Sequence, residues 1–317
     1  MRILIPLDGS AVAEAALAHG EVLGKAFCAE LVLLQVVPTD PASAGVVADV
    51  LDWQIQRSRA ETYLEEARTR LDDAGRAAST IVLEGSVVDE IARVANAGDI
   101  DVVVLTATGQ GSTAAGQLGG TVGKLIPRLE SSLLLVRPAD GEPAAPLAAH
   151  RPIVVPLDGS PGSSWSARVA ATIALTTGAT LLLLRVVHAV EAPAWAGHSR
   201  KTRQLAEGLG EAMRVEADNW LRVLRTHLPE RLEVDTQVVV APGVCRAIRE
   251  IVTAKQPGLL VMSAHGLDTD ADCRYGEIAE HLLAHAPCPI LVLQQPQAAV
   301  GADVTVQSGS WRIPAVA

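Results

Sequence analysis

Two carboxylates occupy matching places in the chain: Asp8 in ILIPLDGS and Asp158 in IVVPLDGS, 150 residues apart. Each follows a short apolar run ending in proline, Pro6 or Pro156, and precedes a glycine and a serine. A carboxylate held where a strand gives way to a helix can accept hydrogen bonds from a ligand, or it can cap the helix that follows. The two roles are compatible. A second feature suited to chemistry is the stretch TATGQGSTAAGQLGGTVGKL (106–125), which is rich in glycine and runs into a helix-like segment. Glycines allow backbone N–H groups to close on an anion, and a helix start adds partial positive charge. In outline this is a phosphate cradle. A ligand-free surface loop is the alternative that the residues leave open.

Sharper motifs fail. A Walker A loop needs glycine five residues before its Gly-Lys pair and Ser or Thr after it, but Leu118 and Leu125 stand there. Gly109-Gln110-Gly111-Ser112-Thr113-Ala114 imitates a dinucleotide fingerprint, yet it follows the fourth apolar run of its half and lacks a placed acidic partner. His281, His285 and Cys288 have a spacing compatible with zinc, but no metal is expected. Asp268, Asp270 and Asp272 alternate like part of a calcium loop, without its glycine and final glutamate. No paired carboxylates, nucleophile triad or metal cluster demands catalysis.

The elements that must position these residues come in two copies. Val36 and Val186 keep the offset of 150, Gly85 aligns with Gly243, Gly109 with Gly266, and SLLLVRP (132–138) with PILVLQQ (289–295). Within each half, apolar runs without polar alternation predict strands buried on both faces. Between them lie helix-like segments, among them one after Ser10, one ending in Gly75 and a long one around Thr202 to His227. Alternating strands and helices imply right-handed crossovers and, in each half, a five-stranded parallel sheet with helices on both faces. The expected domains are 1–138 and 151–296, joined by an Ala/Pro/Gly-rich linker at 139–150. The tail 297–317 is expected to be disordered or loosely docked. Ligands of open parallel sheets bind beyond the carboxyl ends of the strands where strand order reverses, which selects the loops after strands one and four.

Composition narrows the partners. Hydrophobic residues make up 49% and aromatic residues only 3%, so the cores must be aliphatic. A formal charge of −10 argues against nucleic acid and anionic membrane surfaces, both of which select basic proteins. The four cysteines lack CxxC pairing and read as reduced thiols. With no stretch of signal-peptide or membrane-helix length, a cytoplasmic location is expected.

The PxD after strand one, the valine 28 residues on, the glycine-rich loop after strand four and HAPCPILVL (285–293) together resemble the universal stress protein family in its tandem form, over roughly 1–296. That resemblance implies a Rossmann-like fold of sheet order 3-2-1-4-5 and pairing through fifth strands, between the two halves or between chains. It also implies an adenine nucleotide, ATP or a relative with or without magnesium, held by a G-x2-G-x9-G-[S/T] loop. In the first half the carried-over positions are Pro6, Asp8, Val36, Gly109, Gly120, Thr121 and the adjacent Val122. Thr106 stands where the first glycine belongs, and the spacing is one residue long unless Gly119 takes the role of Gly120. In the second half Pro156, Asp158, Val186, Gly266 and Gly276 are kept, but Ser263 replaces the first glycine and Glu277 the final Ser or Thr. The expectation is one competent or weakened site in the first half and a degenerate one in the second, with at most slow ATP hydrolysis or self-phosphorylation. Two other classes compete with it: a nucleotide-free interaction scaffold, and an enzyme of the wider adenine-nucleotide-binding group. The enzyme reading would need an HxGH or SGGxDS signature, which is absent.

Overall fold

The computed structural model describes residues 1–39, 50–73, 75, 77–108, 118–137, 151–189, 200–267 and 273–294. The linker 139–150, the tail 297–317, Gly109 and Asp268 to Asp272 lie outside the described residues. The chain forms two compact units, divided at residues 147 and 148 and again between residues 290 and 291.

In the first unit the order is β1 (Arg2–Pro6), α1 (Ala11–Phe27), β2 (Glu30–Pro38), α2 (Val50–Asp73), β3 (Ala78–Gly85), α3 (Val87–Ala95), β4 (Val102–Thr106), α4 (Gly120–Leu125) and β5 (Ser132–Val136). Its strands are parallel in the order β3-β2-β1-β4-β5, with Pro6 beside Leu34, Ile3 beside Val102 and Thr106 beside Val136. The second unit repeats the plan with β6 (Ile153–Pro156), α5 (Pro161–Thr177), β7 (Leu181–His188), α6 (Arg200–Thr226), β8 (Val234–Ala241), α7 (Val244–Lys255), β9 (Leu259–Ser263), α8 (Glu277–His285) and β10 (Ile290–Leu293). Its order is β8-β7-β6-β9-β10, and the second unit boundary falls within β10.

Unbroken aliphatic runs make these strands because both faces are covered. Every residue of β4, β5 and β9 is buried, and so is every residue of β10. Each fully buried Leu or Val contributes about 1.5–3 kcal/mol. Ser10 starts α1 by accepting from the Ala13 amide at 3.1 Å, and Ser160 does the same for Ser163 at 3.1 Å. Gly20 and Gly24 let α1 ride low on the sheet. A Cβ on Gly20 would run into the Ile5 side chain, and one on Gly24 would approach Leu31 at 3.2 Å.

That close seat buries His19 completely. Its Nδ1 donates to the Ala15 carbonyl at 2.9 Å, while Nε2 has no hydrogen-bond partner. Burial lowers its pKa below the ordinary 6.5, against a smaller opposing effect of the Ala15 bond. A depressed folded-state pKa means that the neutral form is the one the fold accepts. Stability is therefore complete above about pH 6.5 and falls as the pH drops below it, by at most about 1.4 kcal/mol per pH unit for one proton. Urea midpoints at pH 7.5 and 5.5 should differ more for the natural protein than for His19→Leu; equal differences would show that His19 is not the titrating group.

Candidate functional site

In the first unit Pro6 ends β1, Thr106 ends β4 and Val36 lies two residues before the end of β2, so all three stand at the carboxyl edge of the sheet, where β1 lies between β2 and β4. Two residues past β1, Asp8 turns the chain into α1. Its Oδ1 accepts from the Ser10 amide at 3.0 Å and the Ser10 hydroxyl at 2.5 Å, and Gly9 supplies the left-handed φ of +79° that the turn requires. Asp8 and Thr121 are exposed, Val36 is half-buried, and Thr106 and Val122 are buried.

The return of the glycine-rich loop is fixed at both ends. Ala107 donates to the Val136 carbonyl at 2.7 Å, and Gly119 donates to the Ala107 carbonyl at 2.8 Å. Gly119 then caps α4, whose first residues are Gly120 and Thr121. In the second unit the matching bond runs from Gly276 to the Ala264 carbonyl at 2.8 Å, and Gly276 caps α8. Gly119 is therefore the structural counterpart of Gly276, and Gly120 the counterpart of Glu277. The extra loop residue noted in the sequence disappears with this pairing.

The carboxylate of the second half is tied into its own loop. Asp158 accepts from the Ser160 amide at 2.9 Å with Oδ1 and from the Leu267 amide at 3.0 Å with Oδ2. Leu267 belongs to the loop after β9, so Asp158 pins that loop across the end of β6. Gly266 is part of the closure, because a Cβ there would lie 2.5 Å from Oδ2 of Asp158. Burial alone would raise the Asp158 pKa, but the donors on Ser160, Ser163 and Leu267 outweigh it and hold the carboxyl below its usual range. The loop is further laced by the Ser263 hydroxyl on the His265 carbonyl at 2.8 Å and by His265 Nε2 on the Cys273 carbonyl at 2.6 Å. At the start of α8, Glu277 supplies a carboxylate of the protein's own.

Arg185 went unnoticed in the sequence. Half-buried beside Val186, it donates to the Leu157 carbonyl at 3.0 Å, with its guanidinium under Gly159. Burial lowers its pKa, and the nearby Asp158 and Glu216 act the other way. Its counterpart in the first half is Gln35, and setting LLQVV against LLRVV exposes the change. The first unit also has a cleft of about 730 Å³ lined by Glu14, Tyr63, Glu66 and Arg70, among others. Burial, and then Glu14, push the Tyr63 hydroxyl up to about 12, against a smaller opposing effect of Arg70. His281 and His285, considered above as metal ligands, stack at 4.6 Å between ring centroids, and Nδ1 of His285 bonds to the His281 carbonyl at 2.9 Å. No helix among the described residues is long and apolar enough to cross a membrane.

Known proteins resemble both halves. The model of the universal stress protein family matches twice, over residues 1–137 and 149–294. A universal stress protein of Mycobacterium tuberculosis is 24% identical over 257 residues, covering 78% of this chain and 77% of its own. Among solved structures, a universal stress protein from Archaeoglobus fulgidus superposes with a TM-score of 0.62 at 17% identity, over 92% of this chain and 98% of the other. A functionally unknown protein from Pseudomonas aeruginosa gives 0.63 at 17% identity, over 92% of each chain.

Proposed function

Because the chain belongs to the universal stress protein family, with two tandem family domains, we propose that it is a non-enzymatic regulator that binds one adenine nucleotide, ATP or a close relative, in its first domain. The domains in this reading are 1–138 and 151–296, and the site is that of a cytoplasmic protein sensing nucleotide rather than consuming it. Asp8 and Val36 hold the nucleoside, with Pro6 shaping the turn. The loop from Thr106 through Gly109 to Gly119, Gly120, Thr121 and Val122 receives the phosphates on backbone amides, with the Thr121 hydroxyl as an added donor.

The observation that carries the proposal is the contrast between the two helix starts. Gly119-Gly120-Thr121 offers amides and a hydroxyl without charge, whereas Gly276-Glu277 offers the same amides beside a fixed carboxylate. Asp158, Val186, Gly266 and Gly276 are on this view inherited positions that no longer serve a ligand.

The test is to purify the protein without added nucleotide, denature it, and count the released small molecules by chromatography and mass spectrometry. About one adenine nucleotide per chain is expected. About two would mean that the second site works in spite of Glu277. None, together with no rise in melting temperature on adding ATP, would favour a nucleotide-free scaffold.

A further inference from the structure

Strand β2 runs past the end of β1. Pro6, the last residue of β1, lies beside Leu34, so Gln35 and the residues after it project beyond β1 at the carboxyl edge, next to the turn that carries Asp8. Gln35 is half-buried, and its Oε1 is shielded from solvent without a hydrogen-bond partner. A buried polar atom left in that state costs free energy until something pairs with it.

The second unit shows where a side chain from this position goes. Arg185, the counterpart of Gln35, sends its guanidinium beneath the Asp158-Gly159 turn, where Nη1 donates to the Leu157 carbonyl and stands 3.5 Å from the place of a Gly159 Cβ. That arginine is committed within its own unit, to Leu157 and to the charges of Asp158 and Glu216. Gln35 does not fill the matching space: a Cβ on Gly9 would meet none of the described atoms within 4 Å.

We propose that Gln35 is the specificity-determining residue of the first unit, the side chain that selects adenine over 6-oxopurines; the inference rests on the nucleotide site of the preceding subsection. In that site the phosphates lie on the loop after β4, to one side of β1, so the base lies to the other side, over the projecting end of β2. An amide carries an acceptor and a donor side by side. The edge of adenine formed by its 6-amino group and N7 offers the complement, and glutamine pairs with that edge through two hydrogen bonds. Oε1 of Gln35 thereby gains its missing partner by accepting from the 6-amino group, while Nε2 donates to N7. Hypoxanthine and guanine present two acceptors there, so one end of the amide always faces the wrong group. A guanidinium offers donors alone, and Arg185 could not read adenine in this way even if Leu157 released it.

Isothermal titration calorimetry of the full chain, freed of bound nucleotide, with ATP and with inosine triphosphate tests it, because the two ligands share their ribose and phosphates. The natural protein should bind ATP about 10- to 100-fold more tightly. Gln35→Leu should remove that preference by weakening ATP alone, and its undiminished binding of inosine triphosphate serves as the control for folding. Replacing N7 tests the same pairing from the ligand's side: 7-deaza-ATP should bind the natural protein about tenfold more weakly than ATP, and Gln35→Leu equally well. A natural protein that binds both triphosphates alike would overturn the inference and leave the nucleotide site standing. A Gln35→Leu variant that keeps the preference would do the same, by assigning it to another group. Binding of neither triphosphate to the natural protein would overturn the nucleotide site and this inference with it.

Discussion

Gly120→Glu is expected to abolish nucleotide binding while leaving the first unit as stable as before. Gly120 is the counterpart of Glu277 at the start of its helix, so the substitution writes the second unit's carboxylate into the first. Coulomb's law puts a unit charge pair at about 5 Å near 3 kcal/mol at an effective dielectric of about 20. Repulsion from a single phosphate charge thus weakens binding by roughly 100-fold, and a triphosphate carries more than one charge. The fold has no reason to object. Gly120 has room for a side chain, its φ is not in the left-handed region, and a glutamate in the first helical turn favours the helix. Isothermal titration calorimetry with ATP and a melting curve separate the two effects. Lost binding with an unchanged or higher Tm is the expected pair of results; undiminished binding would remove α4 from the site. Asp8→Ala should abolish binding too, without the gain in helix stability.

Asp158→Ala is expected to do the opposite. Two backbone donors, the amides of Ser160 and Leu267, lose a charged acceptor. Such bonds are worth about 1.5–3 kcal/mol each when well buried; at a half-buried turn, where water replaces part of the loss, about 2–3 kcal/mol in total is expected. Hydrogen exchange should show the Leu267 amide losing protection, while the number of nucleotides bound per chain stays the same. Gly266→Ala tests the same closure from the other side, because its new Cβ would press on Oδ2 of Asp158. The two effects should be less than additive, since either change alone opens the contact. A drop in nucleotide stoichiometry with Asp158→Ala would mean that the second site, not the first, is the working one.

Much of the architecture is legible in the residues. Runs such as LVLLQVV and DVVVL lack polar alternation because their strands are covered on both faces, and this same property announces a parallel sheet before any contact is known. The repeat placed Asp8 and Asp158, and Val36 and Val186, at matching distances from their strand ends in the two units. Less visible was which glycine closes the first loop. Counting from Gly109 left Gly119 and Gly120 as alternatives, and the choice rests on one long-range hydrogen bond to Ala107. Arg185 was hidden for a different reason: a single charged residue in an apolar run looks like an edge position until Leu157 and Gly159 are folded over it. The inward turn of Asp158 could not be read at all, because Leu267 is 109 residues away.

The placement of β1 between β2 and β4 has a cost in time. Ile3 lies beside Val102, so β1 leaves the ribosome nearly a hundred residues ahead of its neighbour β4. At roughly 5–20 residues per second of synthesis, that delay is about 5–20 s. Throughout it one edge of a strand with an aliphatic centre, Ile3 to Ile5, stays open to whatever unpaired backbone is nearby. Shielding of the nascent chain by a chaperone would matter most in this interval, well before any ligand could help.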